Sequence, residues 1–258
     1  MSPEEQQLLL SALDGFLDQN VISQVLEIVR GGKEATVFRC RAGRKGDDRG
    51  NAPAFYAAKV YRPSDRRAFR NDAAYRDGRV ITSSRVRRAV AARSDFGREA
   101  AQHLWTAAEY ETQQILHRAG VSVPRPIARS GSAILMEWMG DGALPAPHLR
   151  HVKLSREEAA RALQALLRDV ERMLDKHRVH GDLSPFNILY WHGRPRVIDF
   201  PQAVDARMNA NAYSLLCRDV ENVCRFFAKQ DVPTPDPWKW ATRLWDRYRN
   251  GRLGVEAP

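Results

Sequence analysis

Two short β runs, at 188–191 and 196–198, meet at His192-Gly193 and carry ligand-type residues at both ends. Asp182 and Asn187 precede the first run and Asp199 follows the second. A lone two-stranded hairpin is marginal in water, so this one must lie on a larger body while its polar ends stay accessible. The neighbouring pattern supplies that body. Ser155-Arg156-Glu157-Glu158 is a capping box that opens a helix to about residue 177, and further helices are expected near 207–228 and 236–249.

The first half of the chain is richer in strands. Leu8, Leu9, Leu13, Phe16 and Leu17 recur at helical spacing within 3–19, with Asp14-Gly15 near the end of that helix. β runs follow at 21–29, 36–41 and 54–61, separated by Gly31-Gly32 and by the polar turn 43–53. A long helix is expected over about 98–119, ended by Gly120; strands at 125–128 and 133–138 then meet at Ser130-Gly131-Ser132. The stretch 139–147, with Gly140, Gly142, Pro145 and Pro147, reads as a linker. The expectation is an α+β fold in two lobes: an N-terminal helix at 1–20, a sheet lobe at 21–139 and a helical lobe at 140–258.

Composition narrows the class. The chain has 258 residues, 43% hydrophobic and 28% charged, a balance that folds rather than staying disordered. No uninterrupted apolar stretch approaches ~18 residues, so no membrane span is expected. Glu4 and Glu5 stand where a secretory leader carries positive charge, so no leader is expected. Cys40, Cys217 and Cys224 form neither a zinc pattern nor a disulfide framework, which points to a reducing, cytoplasmic compartment; Cys217 and Cys224 suit one helix face. The net charge is +10, concentrated in 62–98, where eleven Arg stand against four Asp and no Lys. Guanidinium forks grip phosphate, in RNA or in a nucleotide. The plainer reading is a solvated loop, and few aromatics interleave beyond Phe69, Tyr75 and Phe96.

The chemistry lies in His180-Gly181-Asp182-Leu183-Ser184-Pro185-Phe186-Asn187 and Val197-Ile198-Asp199-Phe200-Pro201. An Asp five residues before an Asn, then a second Asp beyond a hairpin, is the arrangement phosphoryl transfer needs. Asp182 would orient or deprotonate the attacking hydroxyl, and Asn187 with Asp199 would hold Mg²⁺, with Mn²⁺ as the alternative ion. The plainer reading is a polar turn that caps the hairpin. Lys59, in the apolar run Phe55-Tyr56-Ala57-Ala58-Lys59-Val60-Tyr61, is the natural grip on ATP phosphates, and Glu109 or Glu111 on the long helix could hold it, Glu109 being preferred. The segment 29–38 has neither G-x-G-x-x-G nor the Walker pattern, so a P-loop NTPase is excluded.

Together these residues resemble the RIO kinases. Gly32-Lys33-Glu34-Ala35-Thr36-Val37-Phe38 resembles that family's modified phosphate loop, and Ala58-Lys59-Val60-Tyr61-Arg62 its lysine strand. Trp105 to Tyr110 resembles its C-helix, 119–126 its A-G-I-x-x-P-x-P turn, and Leu135-Met136-Glu137-Trp138-Met139-Gly140 its hinge. His180-Gly181-Asp182-Leu183-Ser184 and Ile198-Asp199-Phe200-Pro201-Gln202 resemble H-x-D-L-S and I-D-x-x-Q.

The resemblance implies a protein-kinase-like fold trimmed of the activation loop and peptide-docking helices, and an ATP- and Mg-dependent serine/threonine protein kinase. It implies Asp182 as base, Asn187 and Asp199 as metal ligands, Lys59 as phosphate contact and Glu109 as its partner. Gly32, Lys33, Glu34, Ala35, Val37 and Ser184 would line the nucleotide, with adenine against the backbone near Glu137 and Met139. Asp199 could also carry an aspartyl-phosphate. About thirty residues precede Gly31, too few for the winged-helix domain of one family branch, so that domain is not expected.

Two other readings compete. A small-molecule phosphotransferase of the aminoglycoside or choline kinase type also carries an H-G-D loop, which Gly181 fits, but Ser184 and the 32–38 loop do not. The third is an RNA-associated assembly factor in which ATP hydrolysis switches binding to ribosomal RNA or the small ribosomal subunit, with the Arg-rich segment as contact. DNA is disfavoured as a partner.

Overall fold

The computed structural model describes residues 2–32, 34–44, 54–62, 88 and 94–253. These fall into two units, divided inside one long helix. The first unit holds the N-terminal helices, a sheet, that helix through Glu111, and Pro124–Pro145. The second holds Thr112–Val123 and the chain from Ala146 onward.

The sheet unit opens with α1 (Pro3–Ser11) and α2 (Asp14–Asp18). The single helix expected over 3–19 is thus broken at Ala12-Leu13, where Leu13 N–H donates to Leu10 O and Phe16 N–H to Leu13 O, both at 2.9 Å. The break lets Leu9, Leu13 and Phe16 all enter one core with Ile22, Phe38, Cys40, Tyr56 and Leu135. Gly15 does not end the helix. A Cβ there would meet Ser130 Oγ at 2.7 Å, so glycine permits the close approach.

Strands β1 (Ile22–Gly31), β2 (Ala35–Ala42), β3 (Phe55–Tyr61), β4 (Pro126–Ser130) and β5 (Ala133–Glu137) form an antiparallel sheet in the order β1-β2-β3-β5-β4. Along β2, Thr36, Phe38 and Cys40 are buried while their neighbours are not, the alternation of a one-sided strand. Strand β3 is central and buried at Tyr56 through Tyr61. Its even positions, Tyr56, Ala58 and Val60, join the apolar core. Lys59 lies on the opposite face and is also buried, so its ammonium requires a partner.

The long helix α3 (Asp95–Arg118) carries the chain from one unit to the other. It ends at Gly120 (φ +74°), where Val121 N–H reaches back to Leu116 O, a glycine-closed helix terminus. The expected linker contains a two-residue hairpin, β6 (Gly140–Asp141) with β7 (Leu144–Pro145). A Cβ on Gly140 would sit 2.2 Å from Leu144 O, so only glycine closes it.

The helical unit contains α4 (Arg156–Asp175), β8 (Arg178–Val179), the hairpin β9 (Ile188–Trp191) and β10 (Arg194–Val197), β11 (Val204–Asp205), α5 (Ala212–Ala228) and α6 (Pro237–Arg249). The capping box is formed: Ser155 Oγ accepts from Glu158 N–H at 3.2 Å and Glu158 Oε2 from Ser155 N–H at 2.9 Å. His192 (φ +48°) and Gly193 (φ +72°) make the two-residue turn with both residues left-handed that suits a tight hairpin. Cys217 and Cys224 share the buried face of α5 with Leu216, Val220 and Val223. Of the terminal tryptophans, Trp240 and Trp245 pack against the core, whereas Trp238 stays half exposed. Among the described residues no helix is long and apolar enough to cross a membrane.

Candidate active site

In the sheet unit, the β2–β3 register sets Val37 beside Lys59 and the β3–β5 register sets Lys59 beside Ile134. Lys59 Nζ donates to Glu109 Oε1 at 2.7 Å, and both side chains are almost wholly buried. Tyr61, two residues on and therefore on the same strand face, donates its hydroxyl to Glu109 Oε2. The ammonium also lies 4.8 Å from the Tyr61 ring centroid, a cation–π contact. Glu111, the alternative partner, is exposed. Before β2, Gly32 N–H donates to Ala35 O at 2.9 Å, closing a tight turn whose Glu34 and Ala35 are half-buried. Lys33 lies outside the described residues, as does nearly all of the Arg-rich segment. At the far edge, Glu137 N–H donates to Arg125 O at 2.8 Å and Glu137 Oε2 accepts from Arg125 N–H at 3.0 Å. Met139 is buried.

In the helical unit, the loop between β8 and β9 carries Asp182, Ser184 and Asn187. Asn187 Nδ2 donates to Asp182 Oδ2 at 3.0 Å and to Asp182 O at 2.9 Å, so the amide and the carboxylate hold each other. Ile198 N–H donates to Asn187 O at 2.9 Å, which ties the end of β10 to the same residue. Asp199 comes next, with φ +72°, a left-handed conformation that Asp tolerates better than branched residues. Asp182 opens to solvent on one side, yet burial by its surroundings pushes its carboxyl above the ordinary value. The Asp199 charge pushes the same way, against the Asn187 hydrogen bond and the Arg218 charge. Ser184 is half-buried, and its carbonyl accepts from Asn187 N–H at 2.9 Å.

Two residues to which the motif reading gave no role hold this loop. His180 is buried; its Nδ1 receives the Asp182 N–H at 3.3 Å and its Nε2 lies 3.2 Å from Ile198 O. Those two contacts assign the proton to Nε2, because Nδ1 must accept. Asp219, on the buried face of α5, accepts Gly181 N–H and Leu183 N–H, each at 2.8 Å. Burial pushes its carboxyl upward, opposed by those two backbone bonds. Arg218 donates to Gly181 O and Asn222 Nδ2 to Leu183 O at 3.2 Å, so one face of α5 grips the loop on both sides. A signal was present: Asp219 sits four residues after Leu215 and four before Val223, a charge within an apolar helical stripe.

Among the described residues no group of three or more His, Cys, Asp or Glu side chains forms a metal cage. Mg²⁺ is usually held by one or two carboxylates plus phosphate oxygens, and the oxygen donors of Asn187 and Asp199 suit that need.

The family model for the RIO domain matches residues 36–239. The chain is 29% identical over 220 residues to the serine/threonine-protein kinase RIO1 of Caenorhabditis elegans, covering 84% of this chain and 40% of that protein. It is 29% identical over 241 residues to the RIO-type serine/threonine-protein kinase Rio1 of Methanocaldococcus jannaschii, covering 90% of this chain and 73% of that one. Among solved structures, the Rio2 kinase–ADP/Mg²⁺–phosphoaspartate complex of Chaetomium thermophilum aligns with a TM-score of 0.64 at 23% identity, over 95% of this chain and 70% of that one. The structural likeness shows a protein-kinase-like α+β fold. With the family model spanning most of its length, the chain belongs to the RIO domain family.

Proposed function

We propose that the protein is an ATP- and Mg²⁺-dependent serine/threonine kinase of RIO type, transferring the γ-phosphoryl group of ATP to a protein hydroxyl, with ATP hydrolysis alongside. The observation that carries this reading is the Asp182 carboxylate held by Asn187 in a loop that Asp219 pins by its amides. That arrangement fixes an acceptor for the proton of an attacking hydroxyl, and phosphoryl transfer asks for positioning above all. The relatives' names and the ADP/Mg²⁺ of the Rio2 complex agree with it.

The sheet-bearing unit serves as the nucleotide lobe. Lys59, oriented by Glu109 and Tyr61, meets phosphate oxygens, and the turn around Gly32, Lys33, Glu34, Ala35 and Val37 covers them. The Glu137 carbonyl and the Met139 N–H take the adenine edge. The helical unit serves as the catalytic lobe: Asp182 orients and deprotonates the hydroxyl, Asn187 and Asp199 hold the metal, and Ser184 lies beside the phosphates. Bound there, Mg²⁺ would neutralise charge on the phosphate oxygens. For hydrolysis, an Asp199 carboxylate oxygen attacks the γ-phosphorus, ADP leaves, and water cleaves the resulting acyl phosphate.

The test is transfer from γ-labelled ATP to protein and to water. Asp182→Ala is expected to lower transfer by about 10²–10⁴-fold, and Asp199→Asn to abolish Mg²⁺-dependent nucleotide binding. Unchanged turnover in Asp182→Ala, or turnover of a free metabolite with no labelled protein, overturns the reading. The rest of the segment 62–98, apart from Arg62, which pairs with Glu5, is assigned to a polyanionic partner, ribosomal RNA, on its charge; affinity that does not fall with salt argues against it. The described cysteines are buried and free, which fits a reducing, cytoplasmic compartment. Burial pushes Cys40 up to about 12 and Cys224 to about 11, so neither supplies a thiolate.

A further inference from the structure

Arg62, the residue after β3, touches three separate pieces of the sheet unit. Its N–H donates to Glu34 O at 3.0 Å, on one side of the Gly32–Ala35 turn. Its guanidinium donates from Nη2 to Thr36 Oγ1 at 3.3 Å, on the other side, and Thr36 is fully buried. From Nη1 it pairs with the carboxylate of Glu5 in α1. Both ends of that pair are largely shielded, with side-chain exposures of 16% for Arg62 and 14% for Glu5. Glu5 is itself held in place: its N–H is capped by Ser2 Oγ at 3.2 Å, and it lies in the first helical turn, where a negative charge is favoured.

A shielded cation needs an anion, and here Glu5, 57 residues earlier in the chain, supplies it. The bond to Glu34 O is made by the Arg62 main chain, whereas its guanidinium holds Thr36, on the other shoulder, only while its charge is satisfied and its rotamer fixed. Leu9, Leu13 and Phe16 anchor the following turns in the core, so the Glu5 end is fixed relative to the sheet.

We propose that Glu5 and Arg62 are positioning residues that brace the nucleotide-phosphate turn, making the N-terminal helix part of the ATP-binding apparatus. The proposal rests on the reading of that turn as the phosphate loop. The brace acts on ground-state binding of the triphosphate rather than on the transfer step, because neither side chain belongs to the Asp182 loop.

The experiment uses the full chain, with calorimetric binding of a non-hydrolysable ATP analogue plus Mg²⁺, KM and kcat for ATP, and amide hydrogen exchange of 31–38. Glu5→Gln and Arg62→Gln are each expected to raise Kd and KM by about three- to tenfold, with kcat within about twofold, the scale of a shielded charge-assisted hydrogen bond. Exchange across 31–38 speeds up in both. Arg62→Lys, which keeps a cation and a donor beside Glu5 and Thr36, recovers part of the affinity. Unchanged affinity and exchange in Glu5→Gln and Arg62→Gln, beside a binding-defective Asp199→Asn, overturn the brace; so does a lower melting temperature with KM and exchange unmoved. If Asp199→Asn binds the analogue as the parent does, the nucleotide reading fails and the brace fails with it.

Discussion

The two units hold their functional groups by opposite means. In the sheet unit, a buried cation meets a buried anion, Lys59 to Glu109 at 2.7 Å. In the helical unit, a buried carboxylate, Asp219, takes two loop amides at 2.8 Å each. The difference follows from what is already fixed. Lys59 sits in a central strand whose ladder sets the backbone, so only its long side chain needs placing, and one ion pair does that. Gly181 to Leu183 belong to no regular element, so the backbone itself must be held, and amides are its handles. Side chains are placed by charge where secondary structure fixes the chain; loops are placed through their N–H groups where it does not.

The largest effect should come from breaking the ion pair on one side. Glu109→Ala leaves the Lys59 ammonium buried without its anion, and denaturant unfolding should show a loss of about 3–5 kcal/mol. Pairing Lys59→Met with Glu109→Leu should cost less than either change alone, since no charge is then stranded; a larger loss for the double variant breaks the account.

A somewhat smaller loss is expected from Asp219→Ala, about 2–4 kcal/mol, because two buried N–H donors are orphaned while the removed carboxylate was itself costly to bury. Its signature is exchange: the Gly181 and Leu183 amides should lose protection while those of β3 keep theirs. Uniform loss across both units would remove the distinction between holding a side chain and holding a loop.

The smallest effect belongs to an open pair. Burial would raise the Asp205 carboxyl, but hydrogen bonds from Arg207 and the charges of Arg178 and Arg207 hold it down to about 2. An unfolded Asp titrates near ~3.9, so the stabilisation is full above about pH 4 and lost as the pH falls through about 2. Arg207→Ala should shift that acid limb upward yet change stability at pH 7 by less than about 1 kcal/mol, because Arg207 is exposed and screened. Acid titration monitored by circular dichroism measures both.

Much of this was legible in the residues. The β run at 36–41, the Ser155–Glu158 box and the His192-Gly193 turn are local signals, and local physics suffices to read them. The break at Ala12-Leu13 was not legible, because an unbroken helix satisfies the same apolar spacing and only the sheet decides which face must be covered. Nor was the exposure of Trp238, since aromatic content alone does not say which side of α6 meets the core.

The sequence by itself determined which residue types stand in which order: a lysine in an apolar strand, two glutamates on a later helix, and Asp, Asn and Asp around a hairpin. Only the tertiary structure decided which of them meet. On a helix, positions 109 and 111 point about 200° apart, so one glutamate can face the sheet while the other faces solvent. Docking α3 on β3 turned Glu109 inward, across fifty residues of chain, and left Glu111 exposed. Asp219 likewise became the anchor of Gly181 and Leu183 only when α5 was packed beside their loop. Contacts so distant along the chain are set by how elements pack, which spacing within one element does not encode.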